Sequence, residues 1–123
     1  RRQSPIRIAA DESVAAAGGV QRLLAAGAAD VLVLKPGTLG GPARALEIAG
    51  QARQCGVGAV FTHAFESAVG ARHALHCASA WGDAEAIHGL VTAGLFENDV
   101  GEPVAGDDGM ATLAAADGIG LVP

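Results

Sequence analysis

Three short apolar runs in this 123-residue chain end on side chains that can do chemistry. Ile6 to Ala10 leads into Asp11 and Glu12, and Val31 to Leu34 leads into Lys35 and Pro36. Val57 to Thr62 leads into His63, Glu66 and Ser67. A charged group at the end of an apolar strand is costly to bury without a partner. In parallel α/β folds the carboxyl ends of the strands also form the ligand-binding rim. Asp11 and Lys35, one strand apart, supply a partner for each other, either as a plain ion pair or by sharing a metal-centred site. The chemistry that these residue types suit is removal of a proton next to a carboxylate. Such a reaction needs a base tuned toward neutral pH and cationic charge to steady the anion that forms. Asp11 is a hard oxygen ligand of the kind Mg²⁺ takes. A lysine beside a divalent cation has its pKa lowered, because like charges disfavour its protonated form.

The elements that must position these groups follow from pattern. Ile6 to Ala10 reads as a strand. Ser13 is placed to cap an Ala/Leu-rich helix from Val14 to Ala26, weakened at its front by Gly18 and Gly19 and firm from Val20. The run from Asp30 to Lys35 is continuously hydrophobic in the manner of a strand buried on both faces. Gly37 to Gly41 is a glycine-rich loop, and Pro42 suits the first turn of a helix through Cys55. Val57 to Thr62 is a third strand, Ala68 to Trp81 a third helix, and Ala86 to Val91 a fourth strand. The tail from Gly94 to Pro123 is loop-rich. This β-α-β-α-β-α-β order with short connections predicts a parallel sheet covered by helices, organised as a barrel-like part over 1–93 and a tail over 94–123. No GxGxxG follows the first strand, so dinucleotide binding has little support.

Half of the residues are hydrophobic and the formal net charge is −5, which implies one domain with a real core. Eight Lys and Arg without a basic stripe offer no footprint for nucleic acid or an anionic membrane. No apolar run approaches the length of a membrane span, and the N-terminus lacks the apolar stretch of a signal peptide. Cys55 and Cys77 read as buried free thiols of a cytoplasmic protein rather than a disulfide. The absence of an initiator Met is expected of a fragment or a processed chain.

Four strings occur in order: Ala10-Asp11-Glu12-Ser13, Val33-Leu34-Lys35-Pro36 with Gly40-Gly41, Phe65-Glu66-Ser67-x-x-Gly70, and His88-Gly89-Leu90-x-Thr92. Together they resemble strands five to eight of the muconate-lactonising subgroup of the enolase superfamily, and most of all the o-succinylbenzoate synthase family. Gly118-Ile-Gly-Leu121 resembles the segment that ends these enzymes. The resemblance implies an α/β fold, the C-terminal half of a TIM (β/α)₈ barrel with about four βα units. It implies a lyase of menaquinone or phylloquinone biosynthesis that takes a small carboxylate substrate, with Mg²⁺ and a lysine pair, as this superfamily uses. Asp11 becomes one of three acidic Mg²⁺ ligands, with Glu12 as its neighbour behind the ligands. Lys35 becomes the strand-six lysine that faces the reacting carbon, steadying the enolate by a cation–π contact while a strand-two lysine takes the proton. Thr62, Glu66, Ser67, Gly89 and Thr92 line the substrate pocket.

The chain departs from the family where relatives often carry a serine pair, since it has Thr62-His63. His63 reads as a rim or packing residue, His73, His76 and His88 as ordinary structural histidines, and Trp81 as core. A single Asp is a poor Mg²⁺ site, so the chain alone is expected to be inert. Its open strand edges invite self-association or a complementary N-terminal half. An N-succinylamino acid racemase or a dipeptide epimerase uses the same two-lysine machinery, and a non-catalytic self-associating half-barrel is the third reading.

Overall fold

Period-two alternation sets the architecture. The computed structural model describes residues 1, 3–91 and 95–121. β1 (Ala9–Ala10), β2 (Val31–Leu34) and β3 (Gly58–Phe61) form a parallel sheet in that order. Ala9 pairs with Val31, and β2 and β3 pair from Val31–Gly58 through to Leu34–Phe61. Leu32, Leu34, Ala59 and Phe61 are buried on one face, whereas Val31, Val33 and Val60 on the other are only half-buried. The expectation of strands buried on both faces therefore holds for one face. Helices cover that face, and the other is more open.

The covering layer is α1 (Glu12–Ala15), α2 (Gly19–Ala25), α3 (Pro36–Leu39), α4 (Pro42–Gln54) and α5 (Ala68–Trp81). The helix expected from Val14 to Ala26 is instead broken in two. Ala16 is extended and Gly18 is left-handed at φ 65°. Gly19 packs so tightly that a Cβ there would collide with the Ser13 carbonyl. Ser13 lies inside α1, and Asp11 holds the N-cap position without a side-chain cap bond. The glycine-rich loop begins as a helical turn, because Pro36 pre-sets the first helical φ and Gly40 at φ 94° ends it. Pro42 opens α4 as expected.

The fourth strand shrinks to one parallel bridge between Thr62 and Gly89. The Gly89 N–H donates to the Phe61 carbonyl (3.1 Å), and the Thr62 hydroxyl donates to the Gly89 carbonyl (2.6 Å). The Phe61 N–H donates to Nδ1 of His88 at 3.0 Å, so an imidazole stands where a strand carbonyl is expected. Among the described residues the count is thus three βα units and a bridge-length fourth segment. The tail is loop-rich but contains a hairpin of β4 (Gly106–Asp107) and β5 (Met110–Ala111). Asp108 and Gly109, both at positive φ, form the kind of Asp-Gly turn that two-residue hairpins favour.

Alanines on the inner faces of α4 (Ala45, Ala49, Ala52) and α5 (Ala71, Ala74, Ala78) let both helices lie close to the sheet. Phe61 is fully buried, with its ring 6.5 Å from Trp81 and 5.9 Å from His88. Trp81 is core, as expected, and carries the Arg53 guanidinium 3.8 Å above its ring. Both cysteines are free, but only Cys77 is buried; Cys55, in the C-cap turn of α4, is exposed. The tail is tied to α5 by two bonds. The Asp99 carboxylate accepts from the Ala68 N–H (2.8 Å), and Arg72 donates to the Glu102 carbonyl (3.0 Å). None of the described helices is long and apolar enough to cross a membrane.

Two outcomes follow from this core. Replacing Phe61 by Ala should cost about 3–5 kcal/mol in urea unfolding, the usual penalty for a large aromatic core cavity; a loss under about 1 kcal/mol would contradict its central place. Burial pushes the His88 pKa below its ordinary value, against a smaller opposing pull from Asp83. As pH falls the unfolded chain then takes the proton first, so this contribution is complete above about pH 6.5 and is lost below it. Thermal melts between pH 8 and 5 should show a steeper loss for the wild type than for His88→Gln, and parallel curves would refute the assignment.

Candidate active site at the carboxyl ends of the strands

The alternation that buries Leu32 and Leu34 turns Val31, Val33 and Lys35 to the open face. Asp11 follows Ala9 on that face, and Thr62 follows Val60. Continuing the β2–β3 register by one step beyond Leu34–Phe61 sets Lys35 level with Thr62, whose N–H donates to the Leu34 carbonyl at 3.0 Å. The sheet therefore delivers Asp11, Lys35 and Thr62 to one face of one rim, as the residue order predicts.

Lys35 is the only lysine of the chain. Its Nζ lies 2.7 Å from Asp11 Oδ1 and 3.4 Å from Glu12 Oε1, with its side chain 20% exposed. The hydrogen bond that Lys35 donates to Asp11, reinforced by Glu12, holds the lysine pKa above its ordinary value against a smaller opposing effect of burial. These carboxylates favour the charged form of Lys35 and hold its ammonium at the rim. A backbone hydrogen bond and then Lys35 hold the Glu12 carboxyl below its usual range. Asp11 and Lys35 thus form a direct ion pair at the rim.

A cavity of about 270 Å³ opens beside the pair, lined by Asp11, Val33, Lys35, Thr38, Leu39 and Ala64 among others. Thr62 and Gly89 instead line a broad groove of about 1310 Å³ that runs along the open edge past His88 to the β4–β5 hairpin. Glu66 lines neither cavity. Its Oε2 accepts from the Ala64 N–H (3.3 Å), and it borders a small crevice with Ala68 and Asp99. Ser67 occupies the N-cap position of α5 without a side-chain cap bond. Thr92 lies outside the described residues. His63 falls on the helix side of the sheet, is buried, and accepts from the Glu66 N–H through Nδ1 (3.4 Å), a packed position in keeping with its expected packing role.

Sequence reasoning missed four participants. Ala64 and Thr38 line the Lys35 cavity, and no residue type marks them for it. Asp99 binds the first N–H of α5 from 31 residues away, a pairing that no local pattern reveals. His88 completes the edge of β3 through its side chain, which its type alone does not distinguish from an ordinary surface histidine.

Asp11 has the right chemistry for Mg²⁺, a hard oxygen at a strand end beside a cavity. One carboxylate does not make a Mg²⁺ site, and the described residues contain no group of three His, Cys, Asp or Glu able to hold a metal ion. The described residues thus furnish one corner of such a site and not a whole one.

The chain matches a family model described as "Enolase C-terminal domain-like" over residues 1–123. It is 41% identical over 114 residues to the o-succinylbenzoate synthase of Mycobacterium tuberculosis H37Rv, covering 93% of this chain and 34% of that protein. The chain thus spans about a third of the length of the curated relatives it matches. Among solved structures it is similar to MenC from Desulfotalea psychrophila, with a TM-score of 0.78 at 29% identity, covering 89% of this chain and 31% of that one. Muconate cycloisomerase from Pseudomonas fluorescens superposes with a TM-score of 0.87 at 28% identity, over 98% of this chain and 34% of that one. An α/β sheet with helices on one face, polar groups at the carboxyl ends of its strands and these matches have one meaning: the chain belongs to the enolase C-terminal domain-like family.

Proposed function

We propose that this chain is part of a Mg²⁺-dependent o-succinylbenzoate synthase acting in the cytoplasm. Its reaction would be the syn dehydration of 2-succinyl-6-hydroxy-2,4-cyclohexadiene-1-carboxylate in menaquinone or phylloquinone biosynthesis. The 41% identity to synthases across 93% of the chain carries this reading. The state of Lys35 supports it independently. Dehydration by this route needs a cation facing the anion that develops on the ring, and an ammonium anchored by Asp11 and Glu12 is such a cation. When bound, Mg²⁺ would supply charge to the substrate carboxylate, with Asp11 as one of its ligands and Glu12 behind it. Thr62, Ser67, Gly89 and Thr92 would line the substrate pocket, whereas Glu66, which borders neither cavity, would not contact the substrate.

The test is an assay of the full-length enzyme with that cyclohexadiene carboxylate and with N-succinylamino acids. Dehydration as the dominant activity supports the synthase; racemisation alone would replace it with the racemase or epimerase reading. Within the synthase, Lys35→Met should lower kcat by about 10²–10⁴-fold, whereas Lys35→Arg, which keeps a cation, should retain clearly more. Equal loss in both variants would show that Lys35 transfers a proton. Asp11→Asn should raise the Mg²⁺ concentration needed for half-maximal rate by about tenfold or more.

The 123-residue chain taken alone should show no turnover at any Mg²⁺ concentration, because its described residues bring one metal-binding carboxylate and one lysine to the rim. It should self-associate, or bind a complementary half, through its open face. Turnover by the isolated chain would overturn that expectation, and a monodisperse monomer on size exclusion would count against the association.

A further inference from the structure

Glu66 is packed in a way that its motif does not explain. Its side chain runs between two glycines from different parts of the fold. A Cβ built on Gly37, two residues after Lys35, would collide with the Glu66 Oε1 atom and lie 2.8 Å from its carboxyl carbon. A Cβ on Gly70, in the first turn of α5, would lie 2.5 Å from the Glu66 Cβ and 2.9 Å from its carboxyl carbon. At Gly70 the conflict is with the root of the Glu66 side chain, and at Gly37 with its carboxylate end, so a Cβ at Gly37 requires that end to move. The Ala64 N–H fixes one carboxylate oxygen at 3.3 Å, and the Glu66 N–H is held by His63 Nδ1. Phe65, immediately before it, sits at φ 51°, a left-handed conformation that a bulky residue keeps only when its surroundings impose it. On the other side of the contact, Lys35 and Gly37 belong to one tight turn, since the Thr38 N–H and hydroxyl both donate to the Lys35 carbonyl at 3.0 Å.

We infer that Glu66 is a positioning residue: a strut between the loop after β3 and the turn after β2, which holds Lys35 at the rim through the backbone contact at Gly37. The fit depends on the shape of the side chain, seated against two glycines and one N–H donor. A side chain of the same shape without the charge should therefore serve. A proton-transferring carboxylate would not tolerate that change. For the enzyme's chemistry the inference rests on the synthase reading, but the strut itself does not.

The test uses the full-length protein with Glu66→Ala, Glu66→Gln, Gly37→Ala and the double variant Gly37→Ala/Glu66→Ala. Gly37 lies in α3 without a positive φ, so Ala suits its backbone and only the Glu66 contact opposes it. The first readout needs no substrate: the rate at which acetic anhydride labels Lys35, measured by mass spectrometry. Glu66→Ala and Gly37→Ala should each raise it by about threefold or more, Glu66→Gln should leave it near wild type, and the double variant should match Glu66→Ala alone. Unchanged labelling in both single variants, or effects that multiply in the double variant, would overturn the strut. The second readout is kcat, expected to fall about tenfold or more in Glu66→Ala with KM little changed, and to survive in Glu66→Gln. Loss in Glu66→Gln equal to that in Glu66→Ala would overturn the positioning role in favour of a chemical one. If the wild-type protein turns over neither test substrate, the synthase reading fails while the labelling still decides the strut.

Discussion

Everything functional in this chain depends on the parallel register of β1, β2 and β3. Parallel pairing keeps the strands pointing one way, so their polar ends arrive at one rim. The period of two then decides which of those ends face together. Asp11, Lys35 and Thr62 share the open face because Ala10, Leu34 and Phe61 are held on the helix side. A slip of one residue would exchange the two sets, burying an ammonium against alanine-faced helices and exposing Phe61. The cost of burying Phe61, Leu32 and Leu34 correctly is therefore also what aims Lys35.

At the rim, electrostatics and sterics divide the work. The Asp11–Lys35 contact is only partly shielded, so its contribution to stability is modest. Its consequence is chemical: a cation of fixed position and raised pKa beside a cavity of about 270 Å³. Around it, small residues let large ones approach. Gly37 and Gly70 admit Glu66, Gly89 admits the Thr62 side chain, and the alanines of α4 and α5 admit the sheet. Side chains also replace backbone partners where regular structure stops, with His88 completing the edge of β3 and Asp99 holding the start of α5.

The sequence made the parallel α/β order, the three main strands and the two long helices legible, because apolar runs and Gly or Pro punctuation are local signals. It also pointed to Asp11 and Lys35, since a charge at the end of an apolar strand has few explanations. The rest depended on distance. The break after α1 comes from the approach of Gly19 to the Ser13 carbonyl, and composition shows only two adjacent glycines there. The expected fourth strand reads as a strand by hydropathy, yet His88 turns its side chain, not its backbone, toward Phe61. The two carboxylates that face Lys35 raise its pKa, an effect set by contacts across strands that the order of residues alone does not display. Glu66 was legible as a motif residue, but its seat between Gly37 and Gly70 joins positions 29 and 4 residues away, with no shared pattern.

The measurement that bears most directly on the central claim is a crystal structure of the full-length protein with Mg²⁺ and o-succinylbenzoate. The account predicts that the aromatic ring of the product lies on the open face of β1–β3 with the Lys35 ammonium within about 6 Å of its centroid, the range of a cation–π contact. A product bound away from this rim, with Lys35 still turned from it, would contradict the assignment of these strand ends as the active site.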